Sequence, residues 1–196
     1  TLGNWGVLGN VIFENWRVED LSKMRNEFTN PRHGLDFGFS SDPAALVCTH
    51  YDRMRKTIYI YDEFYERGLT NNILGGEVKK RIGGQDRVTC DSAEPKSIYE
   101  LQNMGISAGA AEKGKDSVNY GIQWLQQQTV MIDKSCINAR NEISAYHWRE
   151  DKDGNALRVP VDRNNHLIDA LRYAYEAETN GGDVWVGSNP FADYRG

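Results

Sequence analysis

Residues 34–67, GLDFGFSSDPAALVCTHYDRMRKTIYIYDEFYER, decide the fold of this chain. Three stretches of the segment, 34–40, 44–52 and 56–67, are rich in the apolar, β-branched and aromatic residues that favour strands. An Asp-Pro link joins the first two stretches and a basic turn joins the second and third. Because short links connect neighbouring antiparallel strands, the segment predicts a three-stranded antiparallel meander.

Beyond residue 67 the pattern alternates between helix and strand. A helix is predicted over 69–84, a fourth strand over RVTCDS (87–92), and a helix from Pro95 to Gly105. The other predicted elements are a strand over 106–111, a helix over 116–128, a strand over 129–135, a helix over 136–148, a hairpin over 148–161 and a final helix over 162–178. This order predicts an α/β fold, a mixed sheet with helices on both faces.

The pattern is clear in the middle of the chain and weak at its two ends. The 196 residues suffice for one domain with a sizeable core, which we expect over residues 31–180. Residues 1–30 have little periodicity and are interpreted as a leading segment or linker, whereas the Gly-rich residues 181–196 predict a flexible tail. The chain does not begin with Met, so we expect it to be a fragment of a longer protein.

Composition excludes some classes of protein and leaves others open. No stretch approaches the roughly 18–20 consecutive apolar residues of a membrane helix. The three cysteines, Cys48, Cys90 and Cys136, are far apart, which argues against a disulfide framework and against a zinc site and predicts reduced thiols in a cytoplasm. The net charge of −5 does not exclude a nucleic acid, because acids gathered around bound cations produce the same imbalance.

One motif is a false match to a nucleotide-binding loop. GAAEKGKDS, residues 109–117, fits GxxxxGK, but Asp116 stands where the loop requires Ser or Thr to hold magnesium. A carboxylate there repels a triphosphate, while Asp is a favoured residue at the start of a helix. We interpret the motif as a basic loop followed by a helix start.

Three aspartates and one histidine are the candidate functional residues. Asp36 lies within the first predicted strand, with Gly38 beside it to leave space, and Asp91 ends the fourth strand, where ligand sites gather in open α/β sheets. Asp169 lies one helical turn after His166 on the last helix, so their side chains share a face. Glu63, near the end of the third strand, is interpreted as a structural acid.

Each of these residues also has a structural interpretation. Asp36 can belong to a turn, Asp91 can cap the helix at Pro95, and Asp169 can be a solvated acid. Taken together, with the first and fourth strands side by side and the last helix across them, the three carboxylates converge. Such hard oxygen ligands suit two Mg²⁺ or Mn²⁺ ions, and an imidazole ligand at His166 shifts the preference slightly toward Mn²⁺.

Four segments carry a resemblance to a known family: 34–46, 58–68, 90–98 and 164–174, reading GLDFGFSSDPAAL, IYIYDEFYERG, CDSAEPKSI and NNHLIDALRYA. They resemble, in order and spacing, the nuclease domain of the large terminase subunit of tailed bacteriophages, a member of the RNase H-like (RuvC-like) superfamily. The resemblance covers about residues 31–178. The segment 5–16, WGVLGNVIFENW, resembles the connection between the ATPase and nuclease domains of that family.

The resemblance implies an RNase H-like fold and an endonuclease that cuts concatemeric viral DNA during genome packaging. It implies Asp36, Asp91 and Asp169 as catalytic, metal-binding acids, with His166 as a further metal ligand. It also implies an absent upstream ATPase domain, double-stranded DNA as substrate, and the portal or procapsid and the small terminase subunit as partners of the full protein. We expect the isolated domain to be a monomer that does not bind a membrane. We expect the protein in the host cytoplasm rather than in the virion.

The mechanistic hypothesis is two-metal hydrolysis of a phosphodiester, in which Asp36 bridges both ions, Asp91 holds one, and Asp169 and His166 hold the other. Sequence preference should be weak, because the contacts would go mainly to the phosphate backbone. Two alternatives stay open: a Holliday-junction resolvase or transposase on the same fold, and a DNA-binding module that does not cut. The candidate DNA contacts are Arg53, Arg55, Lys56, Lys79, Lys80, Lys113 and Lys115.

Overall fold

A computed structural model describes residues 10–112, 114 and 116–180 of the chain. The predicted mixed α/β class is confirmed: a seven-stranded sheet carries helices on both faces. The predicted tail, residues 181–196, lies outside the described residues, as do Lys113 and Lys115. The predicted domain limits at 31 and 180 stay predictions.

The predicted meander forms the middle of the sheet. Its strands are β2 (Pro31–Asp36), β3 (Ala44–Asp52) and β4 (Thr57–Glu66), and both neighbouring pairs are antiparallel. The first strand ends earlier than the sequence suggested, since Asp36 is its last residue and pairs with Ala45. Residues 37–43 instead form a loop in which the Gly38 backbone packs directly against that of Asp42 and Pro43, so the pairing cannot continue.

Parallel strands complete the sheet on either side of the meander. They are β1 (Trp16–Glu19), β5 (Arg87–Cys90), β6 (Ser107–Ala110) and β7 (Thr129–Asp133). The order across the sheet is β1-β7-β4-β3-β2-β5-β6. The predicted adjacency of the first and fourth strands of the sequence pattern, now β2 and β5, is confirmed, and the two are parallel.

The described residues form six α-helices, of which the last two follow the final strand: α1 (Asn71–Arg81), α2 (Pro95–Asn103), α3 (Ser117–Gln126), α4 (Ile137–Ala145), α5 (His166–Ala174) and α6 (Glu176–Asn180). Helices α1 and α2 bury their apolar residues against one face of the sheet, and α3, α4 and α5 bury theirs against the other. Within the described part of the chain, every helix is too short or too polar to cross a membrane.

Residues 10–30 contribute a strand and core side chains, which the sequence pattern did not indicate. Strand β1 lies at the edge of the sheet beside β7, and Leu21 is fully buried. The Asp133 carboxylate accepts a hydrogen bond of 2.8 Å from the Leu21 backbone N–H and thereby fastens the segment to β7. The strand was missed because most of its residues are exposed, so no apolar alternation marks it.

The predicted hairpin before the last helix is confirmed. It consists of β8 (Trp148–Glu150) and β9 (Ala156–Pro160), which pair in antiparallel fashion apart from the main sheet. Gly154 adopts a φ of +83° in its turn, a conformation that glycine adopts at no steric cost.

Candidate metal centre

Two of the candidate acids lie side by side at the ends of neighbouring strands. Asp36 is the last residue of β2 and Asp91 directly follows β5. The strands are in register there, with Leu35 beside Cys90, and the Asp91 backbone N–H donates to the Leu35 carbonyl at 3.1 Å. Because β2 and β5 are parallel, both carboxylates emerge at the same edge of the sheet, where open α/β sheets bind ligands.

Gly34 brings the last helix onto this edge. A Cβ at Gly34 would overlap the Ala170 carbonyl oxygen and would lie 3.0 Å from the Ala174 backbone nitrogen, so α5 crosses β2 where a side chain is absent. Gly34 and Asp36 are two residues apart on a strand and therefore face the same side. The prediction that Gly38 clears the space beside Asp36 is wrong, since Gly38 lies in the loop after the strand and Gly34 clears that space.

The close helix places His166 and Asp169 beside the strand ends. His166 Nδ1 lies 3.0 Å from Asp36 Oδ2, and the His166 ring meets Tyr65 edge-on with the ring centroids 6.3 Å apart. Asp169 Oδ1 accepts hydrogen bonds from Arg172, one turn later on α5. The predicted convergence of His166 and Asp169 on the strand ends is therefore present in the fold.

The acids influence one another electrostatically. Burial raises the pKa of Asp36, and the charges of Asp169 and Asp91 raise it further, although the hydrogen bond with His166 acts in the opposite direction. Burial likewise raises the pKa of Asp169 against the opposing effect of Arg172. The hydrogen bond with Asp36 raises the pKa of His166.

The side chains open into a cleft of about 340 Å³. Asp36, Asp91 and Asp169 line it together with residues from the β6–α3 connection and from α6, among them Glu112 and Glu176. The Glu112 backbone N–H donates to the Glu176 carboxylate and closes one side of the cleft. The cleft is therefore acidic and open to solvent at the carboxyl ends of the parallel strands.

The donor set of the cleft fits a hard divalent cation. The three carboxylates that line the cleft, with the His166 imidazole bonded to Asp36, match the preference of Mg²⁺ and Mn²⁺, and a cation would offset the repulsion that raises the pKa of Asp36. Among the described residues, no three His, Cys, Asp or Glu side chains are already arranged to hold one ion. His166 and Asp36 are hydrogen-bonded to each other, so an ion bound by both would take the place of that hydrogen bond.

Two carboxylates outside the cleft cap the first turns of α4 and α5. Glu63 accepts hydrogen bonds from the backbone N–H groups of Asn138 and Ala139, at 2.9 and 2.8 Å, and caps the start of α4. This confirms Glu63 as a structural acid. Glu142, on α4, is 5% exposed, and its Oε2 accepts from the backbone N–H groups of Leu167 and Ile168 at the start of α5.

Sequence reasoning missed Glu142 and Arg172. The i, i+3 spacing of Asp169 and Arg172 on one helix was a usable signal for their ion pair. No local signal marks Glu142, because it caps a helix that begins more than twenty positions later in the chain.

We expect Glu142→Ala to lower the free energy of unfolding by about 2 kcal/mol or more, because it leaves two buried backbone N–H groups without a partner. Glu142→Gln keeps an acceptor oxygen, and burial already raises the pKa of the carboxyl, so its neutral form is tolerated. The loss for Glu142→Gln should therefore stay below about 1 kcal/mol. Urea denaturation of both variants tests this, and equal losses would contradict the capping role.

The predicted DNA contacts that the structure describes lie away from the carboxylate edge. Arg53, Arg55 and Lys56 occupy the β3–β4 turn, about 25 Å along β3 from Ala45, the residue that pairs with Asp36. Arg53 is paired with Glu178, and Arg55 with Asp52. Lys79 and Lys80 lie in the last turn of α1, roughly 12 Å beyond its first residue.

Other positively charged side chains lie near the strand ends that form the cleft. Arg67 directly follows β4, at the sheet edge where Asp36 ends β2, and it is exposed. Exposed Lys96 lies in the first turn of α2 after Asp91, and exposed Arg163 lies three residues before His166. Single-sequence reasoning missed these three because tertiary folding, rather than clustering along the chain, brings them to one edge.

The sheet order and the acids at its strand ends define an RNase H-like domain. The family model "Terminase RNAseH like domain" matches residues 36–177, most of the chain. The chain belongs to this family, which confirms the resemblance found in the sequence.

Individual relatives agree with the family. The large terminase subunit of Bacillus phage SPP1 is 36% identical over 183 residues, covering 90% of this chain and 43% of the relative. The crystal structure of the SPP1 large terminase (g2p) nuclease domain with bound Mn superposes with a TM-score of 0.80 at 34% identity, covering 85% of this chain and 98% of that domain. The phage P22 large terminase nuclease domain shares the fold, with a TM-score of 0.63 at 21% identity, covering 76% of this chain and 81% of that domain. The chain spans less than half the length of the full SPP1 relative.

Proposed function

We propose that this domain is a metal-dependent DNA endonuclease that cleaves concatemeric viral DNA during genome packaging. The observation that carries the proposal is the convergence of Asp36, Asp91, Asp169 and His166 at one sheet edge, in a chain 34% identical to a nuclease domain crystallised with Mn. The cleft is open and acidic, as a site that holds cations against a phosphate backbone requires.

Asp36, Asp91, Asp169 and His166 are the residues that would hold two Mg²⁺ or Mn²⁺ ions. When bound, such ions activate water and stabilise the charge that develops on a phosphodiester. The chain itself orients the ligands: Gly34 sets the approach of α5 to β2, and Glu142 fixes the start of α5. Glu63 in turn fixes the start of α4, which carries Glu142.

Contacts with DNA should go mainly to phosphates and confer little sequence specificity. We propose the exposed residues Arg67, Lys96 and Arg163 as further DNA contacts, in addition to the predicted ones. The full-length protein would engage the portal or procapsid and the small terminase subunit in the host cytoplasm. These partners and this location rest on family membership and stay proposals.

Nicking of a supercoiled plasmid tests the function. We expect the domain to nick the plasmid with Mn²⁺ or Mg²⁺ and to lose this activity when EDTA removes the ions. Asp91→Asn and Asp169→Asn should each reduce the rate by roughly a hundredfold or more, because each removes a charged ligand from a charge-stabilising site.

Two results would redirect the proposal. A strong preference for branched over linear duplex DNA would favour a resolvase or transposase on the same fold. DNA binding without detectable Mn²⁺ binding in calorimetry, and without nicking, would favour a module that binds DNA but does not cut it.

A further inference from the structure

Arg172 is a charged side chain built into the candidate metal centre. It lies one turn after Asp169 on α5 and is 9% exposed. Its guanidinium donates from Nε at 3.1 Å and from Nη2 at 2.8 Å, and both hydrogen bonds end on the same oxygen, Asp169 Oδ1. A charge buried to this extent requires a fixed partner, and Asp169 is that partner.

Packing keeps the arginine in place. A Cβ at Gly121 of α3 would lie 3.2 Å from Arg172 Cδ, so the absence of a side chain there makes room for the arginine stem. The guanidinium carbon lies 5.4 Å from the centroid of the Tyr173 ring. The arginine stem is thus packed against α3, with its guanidinium hydrogen-bonded to Oδ1 of Asp169.

The second oxygen of Asp169 is only partly engaged. Asn165, the buried residue that precedes α5, donates from Nδ2 to Asp169 Oδ2 at 3.1 Å. An ionised carboxylate offers about four lone-pair positions, two on each oxygen. Among the described residues, Arg172 uses the two positions on Oδ1 and Asn165 uses one on Oδ2, so these contacts leave one position, on Oδ2.

We propose that Arg172 is a positioning residue that withholds Oδ1 of Asp169 from metal, so that Asp169 binds one divalent cation through Oδ2 alone. The inference rests on the proposed metal-dependent function. Arg172 also places a positive charge beside the ion, and charge repulsion weakens binding in a partly buried site. Both effects keep the ion on Asp169 loosely held and exchangeable.

Calorimetric titration with Mn²⁺ tests the proposal on Arg172→Gln. The variant frees Oδ1 and removes the neighbouring charge, so we expect the affinity for Mn²⁺ to rise about tenfold or more. The metal-free variant should melt at a lower temperature than the wild type, because the buried Asp169 loses its counter-ion. The increase in Tm on adding Mn²⁺ should accordingly be larger in the variant.

Arg81→Gln is the matched control. Arg81 is a partly buried arginine on α1 that pairs with Glu77 at 2.7 Å, away from the cleft. Its loss should lower Tm without changing the affinity for Mn²⁺. An unchanged or lower affinity in folded Arg172→Gln would overturn the proposal.

A Mn²⁺-soaked crystal of the wild type provides a second test that does not depend on the stability of any variant. We expect Asp169 to bind through Oδ2 only, with Arg172 still on Oδ1. Binding through both oxygens, or a displaced Arg172, would overturn the inference. If the wild type binds no Mn²⁺, this inference and the proposed function are both overturned. If the wild type binds Mn²⁺ and nicks DNA, but Arg172→Gln has the same affinity for Mn²⁺ as the wild type, this inference alone is overturned.

Discussion

Asp36→Asn should reduce DNA cleavage by about a thousandfold or more, which corresponds to about 4 kcal/mol of lost transition-state stabilisation. The negative charges of Asp91 and Asp169 both raise the pKa of Asp36, and His166 Nδ1 lies 3.0 Å from Asp36 Oδ2. Replacing its carboxylate by an amide removes the central negative charge of the proposed metal centre. Single-turnover nicking of a supercoiled plasmid with Mn²⁺ measures the loss.

The same variant should keep its fold. Burial, and then the neighbouring acids, raises the pKa of Asp36 in the folded protein. Asp36 therefore stabilises the fold at pH values below the pKa that it has in the unfolded chain, and this stabilisation is lost as the pH rises through its pKa in the folded protein. At neutral pH the neutral amide should therefore leave the Tm of the metal-free protein unchanged or higher.

Asp52→Asn is the matched control for Asp36→Asn. Asp52 ends β3 in the turn at the opposite end of the sheet and accepts hydrogen bonds from Arg55. Its replacement should leave nicking unchanged. Full activity in Asp36→Asn, or an equal loss in Asp52→Asn, would contradict the role of Asp36.

Gly34→Ala should lower the free energy of unfolding by about 3 kcal/mol, the upper range for overpacking, and the Tm by roughly 6–12 °C. The added methyl group would overlap the Ala170 carbonyl oxygen, and no side-chain rotation can relieve a clash with backbone. Displacement of α5 would also move Asp169 away from Asp36, so the affinity for Mn²⁺ should fall. Differential scanning calorimetry and Mn²⁺ titration measure the two effects.

Gly76→Ala separates this clash from the general effect of replacing glycine. Gly76 lies inside α1, and a Cβ there would meet nothing within 4 Å. Alanine is the better helix former, so this variant should be more stable than the wild type by up to about 1 kcal/mol. If Gly34→Ala is as stable as Gly76→Ala, the packing of α5 on β2 does not depend on the missing side chain at Gly34.

Local pattern was sufficient for the elements of the central sheet. The alternating apolar and β-branched residues of 44–52 and 57–66, joined by a short turn, admit few arrangements other than neighbouring antiparallel strands. Asp36 could be found because its carboxylate interrupts an apolar strand pattern, and Asp91 because it ends the fourth predicted strand. Asp169 could be found because it follows His166 by one helical turn. Strand β1 could not be found, because an exposed edge strand carries no alternation.

The sequence by itself determined the fold class and the order of the strands from β2 onward, and it marked the four candidate ligands, since periodicity and turn chemistry are properties of neighbouring residues. Only the tertiary structure decided that Gly34 rather than Gly38 makes room beside Asp36, and that Glu142 caps the helix of Asp169. It also decided which cations stand near the cleft and that Arg172 occupies one oxygen of Asp169. These features are contacts between segments far apart in the chain, and the close approach of α5 to β2 depends on packing that no local pattern encodes.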